Sequence, residues 1–490
     1  MSKSLKKNYL YNLIITVSSM IFPLITFPYA ARILMADGIG QVNFFSSIIS
    51  YISLFTCLGI PLYAVREIAK VRDDHNKLVK TTTEILLLHL CLTFLGYVVV
   101  CIMAFCVDKV SVDIPLFLLL STSLLFTALG CEWFYQGMED FKYITMRALF
   151  VRCISVILLF LLVHTKEDIY WYAFITVIGT VGNNLYNFIR LRKYVKFQIV
   201  KFKDLNIRRH IHPTLKIFAL NIVISIYVNL DTVMLGFLST NYAVGYYTGA
   251  TKLTRILLGI ASSLQTAMIP RCSYLVNSDS LDEFYKVVQK VIDFVLAITI
   301  PISIILAMTA PAIINIICGP SYEPAIVTLE ILAPIIFLIS MSGIPCFQIL
   351  YPMGKENIAI MSTATGAIVN FTLNIILIPM FQDKGAATAT LIAETIVTIT
   401  MFLYGRKYIR IKRFDSHYVN CLLGGAVMAI ILYILRTLSL SPWINIWLLP
   451  LVGIVIYIIF LYLRKDSFIS YHEKRLFGSW SRIVWFNSCL

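Results

Sequence analysis

Charge is scarce in this chain of 490 residues: Asp, Glu, Lys and Arg make up 14% of it, against 59% hydrophobic residues. A soluble protein of this length would expose far more charge, so a soluble globular fold is excluded. Paired cysteines are missing as well. The eleven cysteines are scattered, mostly inside apolar runs, with no Cys-x-x-Cys spacing. They read as small hydrophobes, which leaves neither a disulfide framework nor a zinc site. His89 and His164 stand alone, with no His or carboxylate at metal-ligand spacing. No His-Glu-x-x-His, no phosphate-cradling glycine loop and no polar stretch long enough for an extramembrane catalytic domain occurs. These absences argue against a membrane-embedded glycan polymerase or glycosyltransferase and predict a protein that is not an enzyme.

Long apolar runs dominate instead. They recur from Tyr9 to Leu463, many of roughly 20 residues, the length that crosses a hydrocarbon core. The pattern predicts an all-α polytopic membrane protein of about fourteen transmembrane helices. The expected spans are 9–33, 41–63, 84–107, 114–136, 144–163, 169–189, 215–237, 243–269, 289–317, 325–350, 357–378, 385–405, 417–436 and 443–463. The run after Lys3, Lys6 and Lys7 is too long for a signal-peptide core and reads as the first span. The net charge of +15 does not point to nucleic acid, because Lys and Arg sit in the short gaps between runs. With both termini cytoplasmic, the inward gaps hold roughly 33 of the 41 basic residues, as the positive-inside rule requires. Arg32, Lys109, Lys166, Lys384 and Arg436 lie at outward gaps, and Arg152, Lys252 and Arg255 fall inside spans.

The most basic gap, Arg190 to Lys216, follows the sixth span and divides the first twelve spans into six plus six. The halves align weakly but in order. At a shift of 205 residues Gly40 falls on Gly245 and Arg66 on Arg271. Gly137-Met138-Glu139-Asp140 also resembles Gly354-Lys355-Glu356-Asn357. Two parallel six-helix repeats with a substrate path between them are a transporter plan. The expected organisation is a first lobe at 1–190, a basic cytoplasmic linker at 191–213, a second lobe at 214–405, two extra spans at 406–463, and a basic, aromatic tail at 464–490 suited to the lipid surface.

The helix Gly245–Pro270 carries the most unusual pattern. Gly245, Thr248, Lys252, Arg255, Gly259, Ser262 and Thr266 step by three and four, so they share one face. Lipid does not solvate such a stripe, which must therefore look onto protein or water. Its repeat partner reads Gly40, Asn43, Ser47, Ser50, Leu54, Cys57 and Pro61. Asp231 and Glu394 could pair with these cations structurally. Three mid-membrane cations face about two such acids, however, and the excess suits an anionic substrate better than a cation path. Asn221, Ser225, Asn229, Thr232 and Gly236 share a face of the seventh span, Thr363, Gly366, Asn370 and Asn374 one of the eleventh, and Asn183, Asn184 and Asn187 cluster in the sixth. Ordinary helix packing explains each set alone; together they could line a wet passage for sugar hydroxyls. Pro23, Pro28, Pro301, Pro311, Pro334 and Pro345 interrupt spans and permit bending.

The segment Glu132-Trp133-Phe134-Tyr135-Gln136-Gly137-Met138-Glu139-Asp140-Phe141-Lys142-Tyr143-Ile144-Thr145 resembles the inner-loop signature of bacterial O-antigen and capsule repeat-unit flippases. Phe27-Pro28-Tyr29-Ala30-Ala31-Arg32, Gly38-Ile39-Gly40, Asn229-Leu230-Asp231 and Val244-Gly245-Tyr246-Tyr247 match the same family, within the multidrug/oligosaccharidyl-lipid/polysaccharide exporter superfamily, at similar intervals. The resemblance implies that an undecaprenyl-pyrophosphate-linked oligosaccharide is flipped to the periplasmic leaflet of the bacterial inner membrane by alternating access. It implies a cationic cavity, here Arg32, Arg152, Lys252 and Arg255; the helical stripes read from the residues add Asn43, Ser47, Ser50, Thr248, Asn221, Asn229, Asn370 and Asn374 as its expected polar lining. No cofactor or metal is implied. An H+ or Na+ gradient would act through Asp231 or Glu394. The expected partners are the lipid-linked oligosaccharide, membrane lipids and other polysaccharide-assembly proteins, with no nucleic acid. Ser47 and Ser50 stand where the repeat would place Lys252 and Arg255, so the cavity charge is lopsided. The rival within transport is an ion-coupled multidrug antiporter, which would want net acid in the cavity.

Overall fold

A computed structural model describes residues 3–195, 205–278, 280–408, 416–438 and 440–466. The tail expected at the lipid surface, beyond 466, and most of the basic linker lie outside these residues. The described chain is helical: α1 (Lys3–Cys57), α2 (Ile60–Val71), α3 (His75–Cys106), α4 (Asp108–Ser111), α5 (Ile114–Gly130), α6 (Glu132–Gly137), α7 (Phe141–Leu162) and α8 (Ile169–Tyr194) come first. There follow α9 (Arg208–Leu238), α10 (Asn241–Asn277), α11 (Leu281–Ile317), α12 (Ala325–Leu332), α13 (Ile335–Gly343), α14 (Glu356–Gly405), α15 (Ser416–Thr437) and α16 (Pro442–Leu463).

Among the described residues, nine helical stretches are long and apolar enough to cross a membrane. Two of them count double. The 50 residues of α14 would reach about 75 Å if straight, more than twice a hydrocarbon core of about 30 Å. A non-helical residue, Gln382 with φ 52°, divides α14, and Met35 with φ 57° divides α1 in the same way. The remaining expected spans correspond to the helices α8, α9 and α10. The chain is a multi-pass membrane protein, and large side chains such as Phe94, Phe105, Leu161, Met380 and Trp447 stand exposed where lipid is the solvent.

Local chemistry sets the helix ends. The carboxylates of Asp74, Asp113 and Asp140 cap α3, α5 and α7 by accepting from the backbone N–H of Lys77, Leu116 and Tyr143. In the loop before α8, the Asp168 carboxylate accepts from the N–H of His164 and Thr165 at 2.9 and 2.8 Å, which holds its pKa below the usual carboxylate range. Gly59, at φ 72°, makes the left-handed turn that separates α1 from α2. Two spans are less regular than their hydropathy predicts. The fourth breaks at Cys131 between α5 and α6, and the tenth is interrupted near Pro334 and again by a π-helical stretch over Ile344–Leu350 that includes Pro345. A proline removes one N–H and forces the local hydrogen bonds to re-register.

The described chain forms two compact units, Met1–Gly245 and Tyr246–Leu490. In the first, the tips of α2, α3 and α6 bury Ile60, Ile68, Ile85, Phe134 and Tyr135 together. In the second, α15 and α16 pack on α11 around Val291, Val295, Met428, Leu432 and Tyr457.

Candidate functional site

Charged groups of the first unit are tied to neighbouring helices. Arg152 on α7 donates from Nη1 to the Ile15 carbonyl at 3.1 Å and to the Ser18 hydroxyl, so neutral acceptors on α1 hold the guanidinium. A groove of about 280 Å³ lined by Ile14, Val17, Ser18, Ile21 and Phe22 lies on the same helix. Arg32 is exposed, just before the break at Met35. Asn43 and Ser50 bond back to their own helix, at the carbonyls of Ile39 (2.7 Å) and Ser46 (2.8 Å), and Ser47 is buried. Asn229 is half-buried and Asp231 buried on α9, while the side chain of Asn221 lies outside the described ones.

The family-like segment 132–145 turns out to be a structural knot. Arg147, which the run-and-gap reading counts with the basic loops, has a side chain only 4% exposed. It donates to Asn187 Oδ1, lies 3.5 Å from Glu132 and sits 5.3 Å over the Tyr143 ring. Tyr135 donates to the Asn187 carbonyl at 2.7 Å. Arg190 stacks 3.8 Å over Tyr143 and pairs with Asp140 at 2.9 Å. These contacts join α6, α7 and α8, and they engage the Asn187 amide that the sequence groups with a hydrophilic passage. The one signal in the sequence is a lone Arg two turns into an apolar helix, which needs a partner.

A second cluster was equally silent. Glu84, fully buried, accepts from the backbone N–H of Asn206 at 2.8 Å, from Arg209 at 2.5 Å and from His210 at 2.9 Å. His210 Nδ1 bonds the Tyr63 hydroxyl at 2.7 Å. The start of α9 is thereby clasped to α2 and α3.

In the second unit, α10 presents the stripe with graded access: Thr248 is buried, Lys252 half-buried and Arg255 exposed. Tyr247, on the same helix, bonds the Thr390 hydroxyl of α14 at 3.1 Å. Asn374 donates to Asn370 at 3.1 Å, both fully buried on α14, and Glu394 is buried on the same helix. The amides of the eleventh span thus meet each other. Further along α10, Gln265 donates to the Ser340 carbonyl at 2.6 Å, and Gln348 on the π turn donates to the Gln265 carbonyl at 2.7 Å. The last two helices close on His417, whose Nδ1 meets Asp466 at 2.7 Å and whose Nε2 meets the Asp293 carbonyl at 3.0 Å. Among the described residues no cluster of three His, Cys, Asp or Glu could hold a metal ion.

Residues 5–276 match the model of the family described as polysaccharide biosynthesis protein, and residues 217–376 match a MatE model. The chain is 26% identical over 407 residues to a putative O-antigen transporter of Escherichia coli (strain K12), covering 82% of this chain and 97% of that one. It is 25% identical over 229 residues to a probable low-salt glycan biosynthesis flippase, Agl15, of Haloferax volcanii, covering 46% of this chain and 48% of that one. Among solved structures, the lipid II flippase MurJ in an inward closed conformation superposes with a TM-score of 0.71 at 15% identity, over 94% of this chain and 100% of that one. An inward-facing multidrug resistance MATE transporter of the MOP superfamily gives 0.65 at 13% identity, over 79% and 93%. The fold is therefore that of the MOP transporters, and a sequence match over more than half its length makes the chain a member of the polysaccharide biosynthesis protein family.

Proposed function

We propose that the protein is a flippase that carries an undecaprenyl-pyrophosphate-linked oligosaccharide from the cytoplasmic to the periplasmic leaflet of a bacterial inner membrane. It acts as a transporter and not as an enzyme. The observation that carries the reading is the accessible cationic stripe Lys252–Arg255 on a membrane helix of a chain in this family. An ammonium and a guanidinium one turn apart suit a pyrophosphate, which offers several charge-assisted hydrogen bonds to both. Supporting it, curated relatives are named O-antigen transporter and glycan flippase.

In the mechanism we infer, basic inner loops draw the anionic head group from the cytoplasmic leaflet, both termini being on that side. Lys252 and Arg255 hold the diphosphate, with Arg152 and Arg32 contributing from the first six-helix lobe. The polar residues Asn43, Ser47, Ser50, Thr248, Asn221, Asn229, Asn370 and Asn374 meet the sugars while the prenyl tail stays in lipid. Two six-helix lobes joined by the basic linker then exchange access. Asp231 or Glu394 couples the cycle to H+ or Na+, and other membrane proteins of polysaccharide assembly receive the product.

Replacing Lys252 and Arg255 together by Ala is expected to abolish delivery of repeat units to the surface polysaccharide at unchanged protein abundance in the membrane. Normal polysaccharide in that double variant would sink the assignment. Glu394→Gln or Asp231→Asn is expected to remove the gradient dependence of transport in proteoliposomes. Unchanged dependence in both variants removes ion coupling through these acids. The MatE match over 217–376 favours, as a second reading, an ion-coupled antiporter of small molecules. Drug efflux that survives in the Lys252/Arg255 double variant would select it.

A further inference from the structure

Three buried titratable side chains of the first unit stand in one line that the transport mechanism leaves unused. Tyr63 on α2, His210 at the start of α9 and Glu84 on α3 are 4%, 1% and 0% exposed. The Tyr63 hydroxyl lies 2.7 Å from His210 Nδ1, and His210 Nε2 lies 2.9 Å from Glu84 Oε2. Half-exposed Arg209 covers the line. It donates to Glu84 at 2.5 Å and to the Thr81 hydroxyl at 3.2 Å, and its Nε stands 3.2 Å from His210 Nε2. Simple space-filling would need no ionisable group here, since burying charge costs free energy that apolar packing avoids.

The hydrogen bonds fix where the ring holds its proton. Glu84 is a carboxylate and only accepts, so Nε2 carries a hydrogen and donates to it. In the neutral ring Nδ1 is then an acceptor, and the Tyr63 O–H donates to it. A second proton, on Nδ1, reverses that bond. Tyr63 must then accept, and its own hydrogen loses the one partner that the described residues give it. The charges oppose the second proton too. Those facing the ring are Glu84 from α3, Glu67 from α2 and Arg209 from α9, with Arg66 of α2 5.8 Å over the Tyr63 ring. Arg209 already neutralises Glu84, and Arg66 and Lys70 pair with Glu67 at 3.5 and 2.8 Å. Burial, aided by Arg209, outweighs the two acids and holds the ring below its ordinary pKa.

We propose that Tyr63, His210 and Glu84 form a proton-operated clasp, in which a proton bound at His210 releases the start of α9 from α2 and α3. A ring that resists protonation while closed takes its proton once the clasp opens. Opening is therefore favoured as pH falls below the ordinary histidine value of about 6.5, and the clasp is at full strength above it. For an open ring titrating at about 6.5 and a closed one that stays neutral, opening rises about tenfold between about pH 7.5 and about pH 5.5. The site is separate from Asp231 and Glu394 and works whatever the chain carries.

The test is hydrogen–deuterium exchange of the full chain in nanodiscs at those two pH values, with labelling times scaled to the intrinsic exchange rate at each. Protection of the peptide over residues 207–216 should fall about tenfold on acidification. His210→Gln keeps a donor for Glu84 and an acceptor for Tyr63 without a titratable ring, and its protection should be the same at both values. Tyr63→Phe removes the bond that the second proton reverses, and should shrink the fall. His212→Gln replaces an exposed histidine on the same helix and should keep the full tenfold response. Monodisperse elution establishes that each variant is folded. Protection that is flat or rises on acidification of the parent overturns the clasp, as does a fall that disappears in His212→Gln. A fall that persists in His210→Gln overturns it as well, and, should that variant not fold, so does one undiminished in Tyr63→Phe.

Discussion

Removing the Glu84 carboxylate should unfasten the start of α9 from α2 and α3 within the first unit, and the size of the effect follows from the geometry. Glu84 is fully buried and accepts three hydrogen bonds, from the Asn206 N–H, Arg209 and His210. In Glu84→Ala the side chain of Arg209, 46% exposed, turns to water, so its share is a surface pair worth less than about 1 kcal/mol. The Asn206 N–H and the His210 ring, itself 1% exposed, lose a charged acceptor with no water to replace it, costing about 1–2 kcal/mol each. The sum is about 3 kcal/mol. If the first unit unfolds as one body, each kcal/mol moves its midpoint by about 2–4 °C, which makes the expected fall about 6–12 °C. The assay is the fraction of monodisperse protein surviving a heating series in detergent. A double-mutant cycle with His210→Ala should be less than additive, because the second change removes a group already unpaired. A midpoint within about 2 °C of the parent, by the same scaling, or full additivity, refutes the clasp.

Arg147→Met keeps the apolar stem but strips Asn187 of its donor, and should cost about 2 kcal/mol in the same assay. Glu132→Gln should cost under about 1 kcal/mol, since that carboxylate is 45% exposed. Asp466→Ala leaves the buried His417 ring and the Asn420 amide without their acceptor, at about 2–3 kcal/mol. The expected sign of that loss is faster proteolysis of the chain around α15 and α16, while the first unit keeps its parental protease resistance.

The membrane class, the all-α fold and the positions of the spans were legible in the sequence because a bilayer imposes a length and a composition on any helix that crosses it. The irregular points were only half legible. Pro334 and Pro345 announced trouble in the tenth span, yet the π turn at Ile344–Leu350 and the left-handed Met35 and Gln382 depend on what packs around them. The buried polar clusters were hidden for a simple reason. Glu84 and Arg209 lie 125 residues apart, and Arg147 and Asn187 40 apart. Neither pair carries a spacing that a helix or a loop would require, so only the tertiary fold could introduce them. The amides show the same divide: Asn187 read as one of a hydrophilic set until its partner was seen to be a buried cation. For Lys252 and Arg255 the sequence alone established the charge, the shared face and the membrane setting, because residue type determines the first, helical periodicity the second and the length of the apolar run the third. It also paired Gly40 with Gly245 as repeat mates. That the two touch, each against the carbonyl one turn before the other, was decided by the tertiary structure, because a repeat says which positions are equivalent and only packing says which of them meet.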